Sequence, residues 1–80
     1  MWLLFNDQKD TSIASDSIYL VAKGMVCFET EACHFIEIFF LKEDGSVRLG
    51  YASVELRDAD YAMVRRVLEE SNTDKNKGSK

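Results

Sequence analysis

An apolar run in which neither face is polar limits the folds that this chain can adopt. Residues 34–41 have the sequence HFIEIFFL, in which Glu37 alone interrupts the large apolar side chains. Successive side chains of a β-strand point to opposite faces of the sheet. One face would carry Ile36, Ile38 and Phe40, and the other would carry Phe35, Phe39 and Leu41. A strand with one face in water alternates apolar with polar residues, so this pattern predicts a central strand covered on both sides.

A glycine-containing turn joins this run to a second β-rich segment. The sequence EDGS at 43–46 predicts a hairpin, because Gly45 can adopt the left-handed conformation that closes a short loop. A three-residue loop would pair Lys42 with Ser46, Phe39 with Leu49 and Glu37 with Tyr51. Gly50 and Ala52 would then make room beneath the helix. A two-residue loop would shift the register by one residue and exchange the faces.

Apolar segments elsewhere supply further strands. Trp2–Phe5 predicts a short strand or a docked arm that buries Trp2 and Phe5, and the polar residues 6–17 predict a loop. Residues 17–29 are β-branched and aromatic, which predicts one bent strand or two short ones with Gly24 at the bend. These segments favour an antiparallel meander of about four or five strands.

One amphipathic helix follows the strands. It is predicted to begin after Leu56 with Asp58 as its N-cap, to carry Asp60 in its first turn, and to end near Ser71. Its apolar stripe would comprise Tyr61, Val64, Val67 and Leu68, with Met63 at the margin. We predict the α+β class: an antiparallel sheet with one C-terminal helix packed on one face. Residues 1–70 would form one domain, and residues 71–80 a disordered polar tail.

Length and charge exclude several classes of protein. The chain has 80 residues and a net charge of −4, so its acidic body offers no basic surface to phosphates. No segment approaches the run of about 20 apolar residues that a transmembrane helix needs. Residues 1–5 are apolar but lack the basic leader of a signal peptide. We therefore expect a cytoplasmic protein with reduced cysteines and no membrane contact.

The residues that could carry chemistry do not form a known catalytic or metal motif. Cys27, Cys33 and His34 have a spacing that is not a standard zinc pattern, and the adjacent Cys33 and His34 would point to opposite faces of a strand. A Cys27–Cys33 disulfide requires the two residues to be directly opposite, and the expected compartment opposes it. No nucleophile elbow, phosphate-binding loop or dinucleotide fingerprint is present. We expect no catalytic residue, metal or cofactor.

Glu37 is the most informative polar residue, because it interrupts an apolar face. A buried carboxylate must be hydrogen-bonded, paired or protonated, and Tyr51 could donate its hydroxyl to Glu37 in the three-residue register. Glu37 would then anchor a ligand or make a polar contact between subunits. The alternative is an edge position from which Glu37 reaches water and blocks aggregation.

Several strands followed by one C-terminal helix, with Val54-Glu55-Leu56 leading into it, form a layout that resembles the coactivator-type single-stranded-DNA-binding family over roughly residues 17–70. The resemblance implies nucleic-acid binding on the sheet, with aromatic side chains as a stacking surface. Such proteins use basic strand residues, and this chain offers only Lys23, Lys42, Arg48 and Arg57. We transfer no functional residue, and single-stranded nucleic-acid binding ranks third.

The first functional hypothesis is a non-enzymatic homo-oligomeric module that binds a protein or peptide partner through the apolar sheet face. A single helix covers one face, so the N-terminal arm, a second copy or both would cover the other, with a two-fold dimer as the simplest assembly. The predicted interface comprises Trp2, Phe5, Phe35, Glu37, Phe39, Leu41, Leu49 and Tyr51. The alternative is a small-ligand pocket, near Glu37 or at a dimer seam, with His34, Glu37 and Tyr51 as polar groups.

Overall fold

The chain begins with a small hairpin. The computed structural model describes the backbone of residues 1–6 and 8–78, and the side chains of residues 1–6 and 8–70. Strands β1 (Trp2–Phe5) and β2 (Gln8–Ala14) pair antiparallel in a two-stranded sheet of their own. A short strand at Trp2–Phe5, one of the two predicted alternatives, is confirmed, and Phe5 is buried, but Trp2 is exposed and not buried as predicted. The loop predicted over residues 6–17 is wrong. That segment holds β2 and a 3-10 turn at Ser15–Ser17.

Strand β2 forms although its sequence is polar, because a two-stranded sheet needs only one apolar face. Leu3 pairs with Ile13, and both side chains are buried. Lys9, Asp10 and Ser12 are exposed to water. Ile13 is the single buried apolar residue of β2, and one such residue was too weak a pattern to predict the strand.

The main sheet has three antiparallel strands: β3 (Ile18–Cys27), β4 (Ala32–Phe40) and β5 (Ser46–Tyr51). Their order is β3-β4-β5, so residues 34–40 of the apolar run lie in the central strand as predicted, whereas Leu41 lies in the turn that follows. Helix α1 (Val54–Gly78) follows and packs against this sheet. The predicted α+β class is confirmed, with the strands divided between two sheets.

The helix begins earlier than predicted. The Ser53 hydroxyl accepts a hydrogen bond from the backbone N–H of Leu56 at 3.3 Å, so Ser53 and not Asp58 is the N-cap. Asp58 instead pairs with Lys23 and Arg57. The apolar stripe is confirmed: Val64 is fully buried, and Tyr61, Met63, Val67 and Leu68 pack around the core.

Helix α1 is assigned through Gly78, beyond the end expected near Ser71. The predicted disorder of residues 71–80 and the domain boundary at residue 70 stay predictions. The side chains of residues 71–78 and all of residues 79–80 lie outside the described residues.

The predicted register of the β4–β5 hairpin is wrong. Ser46 pairs with Phe39 and not with Lys42, so residues 41–45 form a wider turn, in which Gly45 has a φ of +115°. The three-residue difference is odd, and therefore it exchanges the faces of β5. Leu49 and Tyr51 lie beneath the helix, whereas Gly50 is exposed on the opposite face.

The irregularity of β3 lies at Tyr19, between Ile18 and Leu20, and not at Gly24 as predicted. Gly24 pairs directly with Phe35, whose ring covers it: a Cβ built on Gly24 would lie 2.6 Å from Phe35 Cζ. A side chain at this position would displace the Phe35 ring, so packing against the ring and not a bend in the strand favours glycine here.

The core lies between the main sheet, the helix and the hairpin. Ile36, Ile38 and Val64 have no exposed surface. The hairpin contributes Leu3, Phe5 and Ile13 to the same cluster, so the N-terminal arm covers the face that the helix also covers. Both covering elements thus lie on one side of the main sheet. The cover predicted for both faces of β4 is therefore not provided within one chain, and the predicted alternative in which the N-terminal arm covers the second face is wrong.

Candidate functional site

The other side of the main sheet is an open face. Register places its side chains in pairs across the three strands: Leu20 with Phe39, Ala22 with Glu37, Gly24 with Phe35 and Val26 with Cys33. Strand β5 adds Ser46, Arg48 and Gly50. We call this set of residues, together with Tyr19, the open face. Leu20 is 43% exposed and Val26 is 38% exposed, while Phe35 and Phe39 are half-buried by their neighbours.

An ion pair occupies the middle of the open face. Glu37 Oε1 lies 3.4 Å from Arg48 Nη2, and Glu37 Oε2 accepts a hydrogen bond from the Ser46 hydroxyl. The Ser46 hydrogen bond, with a smaller contribution from Arg48, lowers the pKa of Glu37 below its ordinary value. Glu37 is therefore ionised at neutral pH and solvent-accessible.

Aromatic side chains lie on both sides of this ion pair. The Arg48 guanidinium stacks on the Phe35 ring at 4.1 Å from the ring centre, an arrangement that favours a cation–π contact. Tyr19 and Phe39 form a second aromatic pair with ring centres 6.4 Å apart. The open face therefore has apolar ends and a charged middle of zero net charge.

The predicted interface residues are divided among three places. Phe35, Glu37 and Phe39 lie on the open face. Phe5, Leu49 and Tyr51 are buried in the core of the chain itself. Trp2 and Leu41 are exposed and line a cavity. The division follows from the exchanged faces of β5, because the predicted register had placed Leu49 and Tyr51 beside Phe39 and Glu37.

The three polar residues proposed for a ligand pocket are not brought together. His34 and Tyr51 are cross-strand neighbours beneath the helix, whereas Glu37 faces the opposite side. Tyr51 donates its hydroxyl to Asp60 Oδ2 at 2.7 Å and not to Glu37. Burial and this hydrogen bond raise the pKa of Tyr51 above its usual value. Glu37 is also not at a sheet edge, since β4 is central.

Asp60 is a key residue that the sequence analysis placed only by its helix-turn charge. It is 3% exposed and accepts hydrogen bonds from the backbone N–H of Asn6 at 2.8 Å and from Asn6 Nδ2 at 2.7 Å, besides the Tyr51 hydroxyl. These bonds join the hairpin, the main sheet and the helix at one carboxylate. We call the group Asn6, Tyr51 and Asp60 the carboxylate latch.

A cavity of about 620 Å³ lies where the hairpin meets the β4–β5 turn. Its apolar walls include Trp2, Ile13, Phe40 and Leu41, and its polar rim includes Asp16 and Glu43. Neither Glu37, His34 nor Tyr51 lines it. This cavity lies at a different place from the pocket predicted near Glu37, and no pattern in the sequence indicated it.

The cysteines and the basic residues among residues 1–6 and 8–70 give no further site. Cys33 is opposite Val26 and not Cys27, and both thiols are free and exposed. Within residues 1–6 and 8–70, no three metal-ligating side chains lie close enough to hold an ion. Lys23 and Arg57 both bind Asp58 on the helix side, and their proximity lowers the pKa of Asp58, with Arg57 as the larger cause. They do not form a continuous basic strip with Arg48.

Comparisons of the chain with family models, curated proteins and solved structures found no match. The layout resemblance to single-stranded-DNA-binding proteins therefore gains no support from a solved structure. In the described part of the chain, the one long helix is too polar to cross a membrane.

Proposed function

We propose that this protein is a cytoplasmic, non-enzymatic, homo-oligomeric module that binds a protein or peptide partner through the open face. The observation that carries the proposal is the exposure of apolar side chains on one side of a sheet whose other side is already covered twice. Leu20 and Val26 are exposed at opposite ends of this face. An antiparallel sheet with one face in water would carry polar residues there.

The composition of the open face supports an interface. Aromatic residues and arginine are enriched in protein interfaces, whereas unpaired charges are depleted from their centres. Phe35, Phe39 and Tyr19 provide aromatic area, and the single arginine is already matched by Glu37. A partner would therefore bury little unbalanced charge.

The size of the face limits the affinity. Three strands about 4.8 Å apart, with about eight residues rising about 3.4 Å each, give roughly 400 Å² in plan. A standard interface buries about 800 Å² on each partner. We therefore expect the exposed side chains at its ends, such as Phe28, to join the contact, and association in the micromolar range.

Phe39→Asp tests the proposal, because it places a charge among apolar residues of the open face. We expect this variant to be monomeric or insoluble, while the wild-type chain is an oligomer by light scattering. Leu4→Asp is the matched control: Leu4 is 72% exposed on the hairpin, away from the open face, so its variant should keep the wild-type mass. A soluble Phe39→Asp variant with unchanged mass would remove the assignment.

Small-ligand binding is the second candidate, and the cavity beside the hairpin is the observation that favours it. Its volume of about 620 Å³ lies within the usual range for ligand sites, about 300–1,000 Å³. Trp2 is the single tryptophan of the chain and lines this cavity, so its fluorescence reports occupancy directly. Titration with a panel of small apolar amines should change the Trp2 fluorescence emission of the wild type. The Leu41→Glu substitution should reduce that change in fluorescence. Identical responses in both proteins would count against this candidate.

Single-stranded nucleic-acid binding keeps the third place. Of the four cations Lys23, Lys42, Arg48 and Arg57, three are held in ion pairs with Asp58 or Glu37. A gel-shift titration with single-stranded DNA at several salt concentrations tests it, and the absence of salt-sensitive binding would dispose of it.

A further inference from the structure

We propose that the partner on the open face is a second copy of this chain, related by a two-fold axis that sets Glu37 of each copy against Arg48 of the other. This inference rests on the proposed function and adds the identity of the partner and the contact that selects it.

The first step is self-complementarity. A two-fold interface brings the same patch of both copies together, so each residue must suit the residue that the rotation sets against it. Glu37 and Arg48 are adjacent and opposite in charge, with Oε1 and Nη2 at 3.4 Å. An axis that passes between these two head groups pairs each charge with its opposite in the other copy. Phe35 and Phe39, on either side of Glu37 along β4, supply the apolar surroundings.

The second step is that both head groups have hydrogen-bonding capacity left. Arg48 donates one hydrogen bond among the described residues, from Nη2 to Glu37, although a guanidinium has five N–H donors. Its side chain is 54% exposed, and that of Glu37 is 25% exposed. The guanidinium lies over the Phe35 ring, and its N–H groups that make no hydrogen bond within the described residues can reach a carboxylate of another copy.

The third step distinguishes a second copy from an unrelated apolar partner. Burial of a charged pair against hydrocarbon is unfavourable, because the lost hydration is not replaced. A second copy replaces it with two further carboxylate–guanidinium contacts, so the four charges alternate around the axis. Charge alternation of this kind also excludes wrong partners, because like charges in contact repel.

Charge exchange tests the inference. Glu37→Arg and Arg48→Glu each place like charges across the axis, so each variant alone should associate at least about 100-fold more weakly than the wild type. An equimolar mixture of the two variants should form a mixed dimer, identified by its mass in native mass spectrometry. Within each chain of that mixture the charges at the two positions are alike, so the mixing can repair only contacts between copies. The double variant E37R/R48E should associate within about tenfold of the wild type.

Arg65 and Glu69 provide the control. They form an exposed ion pair on the helix at 3.2 Å, away from the open face, and exchange of their charges should leave association unchanged. Far-UV circular dichroism of each single variant establishes that it is folded. If the wild type associates but the mixture forms no mixed dimer, this inference is overturned and the proposed function stands. If the wild type is a monomer throughout the accessible concentration range, both are overturned.

Discussion

The two faces of the main sheet have similar apolar content but different cover. On the covered face, Ile36 and Ile38 have no exposed surface and Leu49 is 5% exposed. On the open face, Leu20 and Val26 keep more than a third of theirs. Strand β4 serves both faces in alternation, so its sequence alone does not tell which side is covered. The positions of the helix and the hairpin, both on one side, decide it.

The carboxylates of the two faces differ in the same way. Asp60 is buried and is balanced by hydrogen bonds from Asn6 and Tyr51. Glu37 keeps contact with water, and its partners Ser46 and Arg48 come from the neighbouring strand. A buried carboxylate requires fixed donors, whereas an accessible one does not. The stability of the chain should therefore depend more strongly on the buried carboxylate of Asp60 than on the accessible carboxylate of Glu37.

Adjacent residues on β4 provide the test with the largest expected effect. Ile38→Ala should lower the free energy of unfolding by about 2–4 kcal/mol, because it leaves a cavity in a fully buried site. Phe39→Ala, one position along the strand but on the open face, should cost less than about 1 kcal/mol in the monomer. Urea unfolding at low protein concentration measures both. Equal costs would contradict the division between a covered and an open face.

The carboxylate latch should give the next largest effect. Asp60→Ala removes the acceptor of three hydrogen bonds and leaves Asn6 and Tyr51 unsatisfied, at a cost of about 2–3 kcal/mol. Asp58→Ala, in the same helix turn but exposed, should change stability little. Hydrogen exchange should also show that Asp60→Ala weakens protection of the hairpin first. Similar stability of the two variants would show that the latch is unimportant.

Much of the fold could be predicted because the spacing of apolar residues within a single strand or helix shows which of its faces are apolar. The two faces of β4 follow from alternation over nine residues, and the stripe of α1 from spacing within one helix. The strand β2 could not be predicted, since its polar sequence becomes a strand only through pairing with β1. The helix start was missed because both Ser53 and Asp58 can cap a helix, and only the contact with Leu56 N–H distinguishes them.

The candidate site was predictable only in part, because its contacts join residues on different strands or far apart in sequence. Glu37 could be identified as a polar residue in a central strand, but its partner depended on the hairpin register. Gly45 marks the turn without fixing the length of the loop, so Tyr51 was assigned where Arg48 lies. Asp60 has its partner Asn6 at a separation of 54 positions along the chain, and no local pattern reports such a contact.

Alanine substitution of two glycines on the open face should change stability by an intermediate amount at one position and little at the other. Gly24→Ala should destabilise the chain by about 1 kcal/mol, because the added methyl group meets the Phe35 ring, which must move from its place beneath Arg48. Gly50→Ala is the control, since no atom lies within 4 Å of its added Cβ, and its stability should be unchanged or slightly raised. Thermal unfolding of both variants measures the difference. A neutral Gly24→Ala would mean that the ring does not rest on this position.

The smallest expected effect is the pH dependence that Glu37 contributes. The Ser46 hydrogen bond and Arg48 lower its pKa in the folded chain below the ordinary value of 4.5. A carboxyl whose folded pKa is depressed contributes stability that is present above the unfolded pKa and is lost as the pH falls through the folded pKa. Glu37→Gln should therefore match the wild type at low pH and be slightly less stable above the unfolded pKa. Denaturant unfolding from neutral to acidic pH measures the difference, and a gap that widens as the pH falls would contradict the assigned pairing. Because Glu37 is accessible to water, this gap should be far smaller than the cost of losing Asp60, as the contrast between the two faces requires.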